Sequence, residues 1–416
     1  MTSRTPRARI CAAVLLAGLL ALPGVSVALT LEQALQLAEA EAPALQAQRA
    51  NLTAARSAAI PAGELPDPQL RLGLQNLPIE GDDRWQMGAE PMSMQMLGLM
   101  QEVPNRAKRQ ARMDAAEAAV SLADVEQRLT RLQVRQQTAQ AWIMTLAVER
   151  KLDLFSELYR ENELLARAVD ARLAGGAGLS ADRVGPRQEA LDLADQQDLL
   201  ERDQLTARAE LYRWIGDAAR QPLTGDWPHW ADDLEHYQHN LQRHPELQAF
   251  DPMTRRAEAD IAEAVADKTP DWAWGVDYQR RGRGFGDMIS LSVSMDLPVF
   301  TGTRQTPRIE AERARLATVE SQREDLLRQH ARELAEEIAE YQRLDRGVAR
   351  LEQTALPLAT QKVQLAMADY RSGRGELRSV IEARAQRVET RLLAIDLARD
   401  RALSGARLHF AFGDTP

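Results

Sequence analysis

The feature that most constrains this chain is an internal duplication. A strand-like segment that ends at Val103-Pro104 has a counterpart that ends at Leu297-Pro298. A glycine-rich break at residues 172–178 has a counterpart at residues 369–375. Matching landmarks lie about 194 to 202 residues apart, a period far longer than that of any solenoid repeat. The sequence therefore predicts one structural unit used twice, with both halves in equivalent places in one closed object.

Each half pairs short strand-like segments with very long helical ones. Apolar and polar residues alternate with the period of half-exposed strands in residues 70–75, 94–103, 272–278 and 289–297. Helix formers dominate residues 106–173, 180–216, 305–370 and 377–408, and aromatic residues make up only 5% of the chain. Apolar residues at 3-4 spacing in these segments indicate coiled-coil packing. The composition favours long helices over several globular cores.

The sequence predicts a signal peptide, two repeats and one connector. Residues 1–28 hold three arginines, a short apolar run and small residues before the expected cleavage site, as a secretory signal does. The only cysteine lies in this segment, so we expect an exported mature chain, residues 29–416, without disulfides. Its repeats are predicted at 29–216 and 244–412, joined by a polar connector at 217–243.

Charge and motifs exclude several classes of function. Without the three signal arginines the formal charge falls from −9 to −12, which argues against a nucleic-acid partner. The sequence contains no nucleophile elbow, P-loop or HExxH motif, so neither enzymatic activity nor a cofactor is expected.

The mature sequence also has no apolar run long enough for a membrane helix. A membrane-spanning form would need strands, and several chains would have to pool them, because small closed barrels take about eight. Three chains would supply twelve, but the sequence does not fix that number.

The order of elements resembles the TolC-type outer membrane factor family. The matching text covers residues 29–412 and includes DPQLRLGLQNLP, EPMSMQMLGLMQEVPNRAKR, HPEL, SLSVSMDLPVF and DYRSGRGEL. The resemblance implies a mainly α fold with a small β part, in which a homotrimer forms a twelve-stranded outer-membrane β-barrel in contact with lipid and a long periplasmic α-barrel. It also implies an exit duct that works with a periplasmic adaptor protein and an inner-membrane pump.

The sequence of the predicted hairpin in the first half is most similar to that of the family branch that serves heavy-metal pumps of the resistance-nodulation-division (RND) class. Passive conduction of heavy-metal cations is therefore the first functional expectation. A drug-efflux or type I secretion duct is the alternative within the family. A periplasmic coiled-coil adaptor or scaffold is the alternative from a different class.

The resemblance also implies a gate near the second glycine break. Glu382 falls on the second acidic position of the family's gate, whereas Ser379 replaces the first acid. The internal register places Asp182 opposite Ser379, so Asp182 and Glu382 are the gate candidates, with solvated helix surface as the alternative. The glycine tips are candidates for adaptor docking, with a plain helical hairpin as the alternative; their glycines are Gly175, Gly176, Gly178, Gly373 and Gly375.

Three further groups of residues have two readings each. A methionine cluster suits Cu(I) chemically but equally suits strands that face lipid or a neighbouring strand; it comprises Met87, Met92, Met94, Met96 and Met100. Four histidines in the connector region, three in the connector and one directly after it, could bind a borderline metal or be solvated; they are His229, His236, His239 and His244. Trp272, Trp274 and Tyr278 share one strand face, either at a bilayer interface or in an internal contact.

Overall fold

The computed structural model describes residues 28–87, 90–176, 178–230, 234–282 and 284–413, so all of the predicted signal peptide except Ala28 lies outside the described residues. The chain is mainly helical with one small sheet, which confirms the predicted fold class. Its helices are α1 (Leu31–Glu41), α2 (Pro43–Ala59), α3 (Arg106–Ala174), α4 (Val184–Ile215), α5 (Leu234–Asn240), α6 (Pro245–Gln248), α7 (Phe250–Ala266), α8 (Gln305–Arg350), α9 (Leu356–Arg371) and α10 (Leu377–Phe412).

The sheet is antiparallel and has the order β1-β2-β3-β4. Its strands are β1 (Gln69–Gln75), β2 (Met94–Val103), β3 (Trp272–Arg281) and β4 (Met288–Met295). The central pair joins the two halves, because β2 pairs with β3 from Met94 opposite Arg281 to Val103 opposite Trp272. Each half thus supplies one hairpin, and the two hairpins form one continuous sheet.

The helix α3 has 69 residues and would be about 100 Å long. Asn105 begins it by accepting a hydrogen bond from the Lys108 N–H, the usual action of an N-cap residue. Its counterpart in the second half consists of α8 and α9, joined by a π turn at Leu351–Ala355. The π turn directly precedes Leu356-Pro357, where the sequence predicts a kink because proline cannot donate a helical hydrogen bond.

The segment between the halves is more ordered than a polar connector suggests. Leu223 forms a parallel bridge with Leu29, and the indole N–H of the buried Trp142 donates to the Leu29 carbonyl at 3.3 Å. The helix α5 packs Tyr237 into a cluster with Leu334 and Leu408. Apolar residues within residues 217–243 therefore tie this segment to α3, α8 and α10.

A polar cluster fixes the junction between the sheet and the helices. The Asp271 carboxylate accepts hydrogen bonds from the backbone and side chain of Asn105 at 2.7 and 2.9 Å, and contacts the Lys108 ammonium at 3.0 Å. The same ammonium lies 2.8 Å from Asp267. Burial tends to raise the pKa of Asp271, but the hydrogen bonds from Asn105 and Lys108 outweigh it and hold the pKa below its usual value. The start of α3 is thereby bound to the segment between α7 and β3.

We predict that Asp271→Asn destabilises the protein in a pH-dependent way. Because the pKa is lowered on folding, the stabilisation is complete above the unfolded value and disappears as the pH falls through the folded one. At pH 7 the loss should be about 1.5–3 kcal/mol, the range for hydrogen bonds to a charged group. Unfolding midpoints of the detergent-solubilised protein at pH 7 and pH 3 measure it, with the exposed Glu258→Gln on α7 as the control. An equal loss at both pH values would contradict the electrostatic explanation.

Candidate functional site

The chain reverses direction at two tips of the same design. The first tip lies between α3 and α4 and the second between α9 and α10. Gly176 has φ +73° and Gly373 has φ +77°, values that favour glycine because other residues carry a Cβ. Gly375 is needed for a different reason, since a Cβ there would lie 3.0 Å from the Cβ of Asp369. Gly175 and Gly178 do not have a positive φ, and a Cβ on either would have more room than one on Gly375. Ala177 lies outside the described residues.

The two tips contact each other through Arg172 and Tyr370. Arg172 donates to the Tyr370 carbonyl oxygen at 2.6 Å, and its guanidinium lies 4.2 Å from the centre of the Tyr370 ring. The Tyr370 side chain is buried in a cluster with Leu165 and Val380. Burial raises the pKa of the Tyr370 phenol, and nearby Asp182 adds to the rise against the opposing effect of Arg172. The tips are therefore coupled and do not act as two independent hairpins.

The structure places the two gate candidates near the starts of neighbouring helices, with Asp182 in the 3-10 turn just before α4 and Glu382 in the second turn of α10. Gly185 of α4 faces α10 so closely that a Cβ on it would lie 2.6 Å from Ile381 Cδ1. Asp182, half-buried, accepts a hydrogen bond from the Leu179 N–H at 3.1 Å and so caps the turn that leads into α4. Glu382 is exposed and pairs with Arg378 at 2.8 Å one turn earlier on α10.

This pairing changes what the carboxylates can do. Arg378 offsets part of the negative charge of Glu382, and sequence reasoning missed this although the two residues stand at i,i+4 spacing. Asp182 accepts its hydrogen bond from a backbone N–H. The arrangement presents one capping acid and one paired acid rather than two free acids.

A set of ion pairs lies behind the tips, and one of its members, Arg384, is buried. Arg384 is 5% exposed and contacts Glu189 of α4 at 3.0 Å, while it also donates to the Glu161 carbonyl of α3 at 3.0 Å. Arg387 pairs with the Glu161 carboxylate, and Arg391 pairs with Glu157 at 2.7 Å. These pairs join α10 to both helices of the first hairpin. Sequence signals existed, namely arginines at 384, 387 and 391 and glutamates at 157 and 161, each set on one helix face, but sequence reasoning did not use them.

The four-stranded sheet has one exposed apolar face. Neighbouring strands place apolar side chains opposite one another on it, for example Val276 opposite Leu291 and Leu72 opposite Leu97. Leu291 is 79% exposed and Leu72 is 72% exposed. The exposed large apolar side chains on this face are Leu70, Leu72, Leu74, Leu97, Leu99, Trp272, Trp274, Val276, Tyr278, Ile289, Leu291, Val293 and Met295. Contiguous exposed apolar surface of this extent is typical of a membrane or protein contact.

The other face of the sheet is more polar and holds three of the five methionines of the cluster. Asp277 and Gln279 are buried there. Met94, Met96 and Met100 are half-buried on the same face, whereas Met87 and Met92 are exposed in the loop before β2. Two of the sulfurs already accept hydrogen bonds, Met96 from Gln75 at 3.3 Å and Met87 from Gln95 at 3.6 Å. The five thioethers are thus divided between a strand face and a loop.

Three of the connector-region histidines form polar contacts with nearby protein groups. A ring nitrogen of His236 lies 2.9 Å from the Asn240 amide, and Nδ1 of His239 lies 2.8 Å from the Glu235 carbonyl. His229 contacts Arg401 at 3.1 Å. His244 differs from these, because it is buried and stacks on His330 of α8.

Within the described residues, no helix combines the length and apolar character that crossing a membrane requires.

Comparisons with known proteins agree with this architecture. The sequence model of a family described as outer membrane efflux protein matches residues 34–217 and 236–414. None of the curated protein sequences matches the chain significantly. A crystal structure of a membrane protein from Pseudomonas aeruginosa superposes with a TM-score of 0.79 at 21% identity, covering 92% of this chain and 90% of that one.

Two further structures share the fold. The outer membrane protein VceC from Vibrio cholerae gives a TM-score of 0.73 at 20% identity, with 92% of this chain and 96% of that chain covered. CusC, whose structures concern folding and transmembrane channel formation, gives 0.78 at 16% identity, with 93% and 92% covered. These similarities extend over more than nine-tenths of the chain.

We predict that Gly176→Ala loosens the first tip, whereas Gly175→Ala does not. Alanine at φ +73° costs about 1–2 kcal/mol, while Gly175 has φ −77°, which alanine adopts without strain. Hydrogen–deuterium exchange of the peptides around residues 170–184 measures the local opening. Faster exchange in Gly175→Ala than in Gly176→Ala would show that φ at Gly176 does not control the tip.

Proposed function

Because the chain belongs to the outer membrane efflux protein family, we propose that it is the exit duct of a tripartite efflux system. The family resemblance predicted from the sequence is confirmed, and proteins of this family are outer-membrane channels rather than enzymes. The proposed duct is passive: it receives substrate from an inner-membrane RND pump and a periplasmic adaptor and releases it outside the cell. The observation that carries the proposal is the family match to both halves, which together hold the sheet and the long helices.

The proposed assembly is a homotrimer. Among the described strands, β1 and β4 each pair on one side only, so the sheet of one chain has two open edges. Open edges are not tolerated in lipid, because their backbone groups lack hydrogen-bond partners. If β4 of one chain pairs with β1 of the next, three chains close a twelve-stranded barrel with the apolar face toward lipid. This packing also places Trp272, Trp274 and Tyr278 on the lipid side.

The cargo that we propose is heavy-metal cations. Support comes from the sequence of the β1–β2 hairpin, which resembles that of the family branch serving heavy-metal pumps. A drug-efflux or type I secretion duct remains the alternative within the family. A coiled-coil scaffold without a channel would have no use for a sheet with an exposed apolar face.

We further propose that the tips form the periplasmic gate and the adaptor-docking surface. Three copies of Asp182 and Glu382 would place up to six carboxylates around the entrance, although Arg378 offsets part of this charge. The contact between Arg172 and Tyr370 would require both hairpins of a chain to move together. Opening would thus be a concerted motion of α4 and α10 away from the axis.

Deletion and complementation test the proposed transport. With pump and adaptor intact, deletion of this chain should abolish export and raise sensitivity to copper, zinc, cobalt or cadmium, because the cargo lacks an exit. Growth inhibition by each metal and by a drug panel measures it, with the wild-type gene restored as the control. New drug sensitivity with unchanged metal tolerance would move the chain to the drug-efflux branch, and no change in either would reject the duct.

The gate is tested with the double variant Asp182→Asn and Glu382→Gln. These changes remove both charges but keep hydrogen-bonding groups, so the tip should remain folded. We expect a lower cation preference and weaker block by trivalent cations in planar bilayers, because fewer carboxylates face the pore. Glu163→Gln is the control, since Glu163 is an exposed acid paired with Arg167 at i,i+4 spacing on α3. If the double variant and this control both behave as wild type, Asp182 and Glu382 are ordinary helix surface.

A further inference from the structure

A cluster of metal-ligating side chains lies far from the tips, where the connector meets α8 and α10. His244 precedes α6, Glu246 is in its first turn, and His330 comes from the middle of α8. One ligand atom from each of these three residues lies within 4.8 Å of the others. Both imidazoles are buried, and Phe412 of α10 packs against them. The side chains therefore converge from two segments more than 80 residues apart in sequence.

His330 lies between two carboxylates. Its Nδ1 is 3.2 Å from a Glu333 oxygen and its Nε2 is 3.1 Å from a Glu246 oxygen. A neutral imidazole has one N–H and can donate to only one of them. If Glu333 accepts the proton of Nδ1, the lone pair of Nε2 faces the Glu246 carboxylate. Two electron-rich atoms at this distance repel each other unless a proton or a cation lies between them.

This arrangement is the one that orients metal-binding histidines. A carboxylate that accepts the proton of one ring nitrogen fixes the tautomer and makes the other nitrogen a better ligand. In a tetrahedral zinc site with bonds of about 2.0–2.1 Å, adjacent ligand atoms are about 3.3 Å apart. The contact of 3.1 Å between His330 and Glu246 is already close to that separation.

His244 supplies the third ligand. Its ring stacks on that of His330 with 3.8 Å between centroids, and its Nδ1 accepts the Glu246 backbone N–H at 3.3 Å. This acceptor role leaves an unprotonated nitrogen on the ring. A cation bound at Nδ1 would take the place of this backbone hydrogen bond.

We propose that His244, Glu246 and His330 bind a divalent cation of the zinc class, and that Glu333 is a positioning residue for His330. Two imidazoles and one carboxylate favour borderline metals such as Zn²⁺ over hard cations such as Mg²⁺. The site is a resident one in the protein wall and is independent of the proposed cargo. A bound cation would fasten the start of the second half to α8, where the cluster of Tyr237, Leu334 and Leu408 already holds the connector.

Zinc titration of the full-length, chelator-treated protein in detergent tests the site. We expect one Zn²⁺ per chain by isothermal titration calorimetry and elemental analysis, together with a higher unfolding midpoint when Zn²⁺ is present. Glu246→Gln should weaken the affinity by at least about 100-fold, and Glu333→Gln by about 10–100-fold, as for other outer-shell partners. The conservative Glu246→Gln variant is informative even where loss of a histidine prevents folding.

His239→Ala is the matched control, because His239 is an exposed connector histidine outside the cluster. It should bind zinc as the wild type does. Absence of stoichiometric zinc at micromolar concentration would overturn the site. Equal zinc binding by wild type and Glu246→Gln would also overturn it, by showing that zinc binds elsewhere.

Discussion

Strands β2 and β3 come from different halves of the chain, and ten residue pairs join them at the centre of the sheet. The long helix α3 begins three residues after β2 ends, and α7 ends shortly before β3 begins. The contacts of Asp271 with Asn105 and Lys108 bind these two junctions together. A one-residue slip between β2 and β3 would exchange the faces of both strands. It would also shift α3, and with it a tip that lies about 100 Å away.

The two ends of the molecule are held by different physical means. At the sheet, backbone hydrogen bonds fix the register and leave a broad apolar face exposed. Near the tips, charged pairs that join α10 to α3 and α4 take over, with Arg384 buried between them. A buried charge lowers stability unless it is paired. Loss of Glu189 would therefore destabilise the fold, because it would remove the carboxylate that pairs with the buried Arg384.

Most of the fold could be predicted because its signals are local. Alternation identified β2 to the residue, and the glycines at 176 and 373 marked both tips. The contact of Arg172 with Tyr370 and the pairing of His244 with His330 could not be predicted, because no local spacing links segments so far apart. The order within the connector was missed for the same reason, since Leu223 and Tyr237 acquire their partners only in the folded chain. The ion pair of Glu382 with Arg378 could have been predicted, because the two residues stand at i,i+4 spacing on one helix.

The exposed apolar face of the sheet also affects the order in which the chain folds. The helical hairpins form from contacts that are near in sequence, whereas β2 and β3 must meet across some 170 intervening residues, and such distant pairings form slowly. Until they meet, the strands are short alternating segments with aggregation-prone edges in a watery compartment. The helices would therefore be complete before the sheet is, and the final pairing would be delayed until lipid is at hand to cover the apolar side chains. For such a chain, completion of the sheet would coincide with insertion into the membrane.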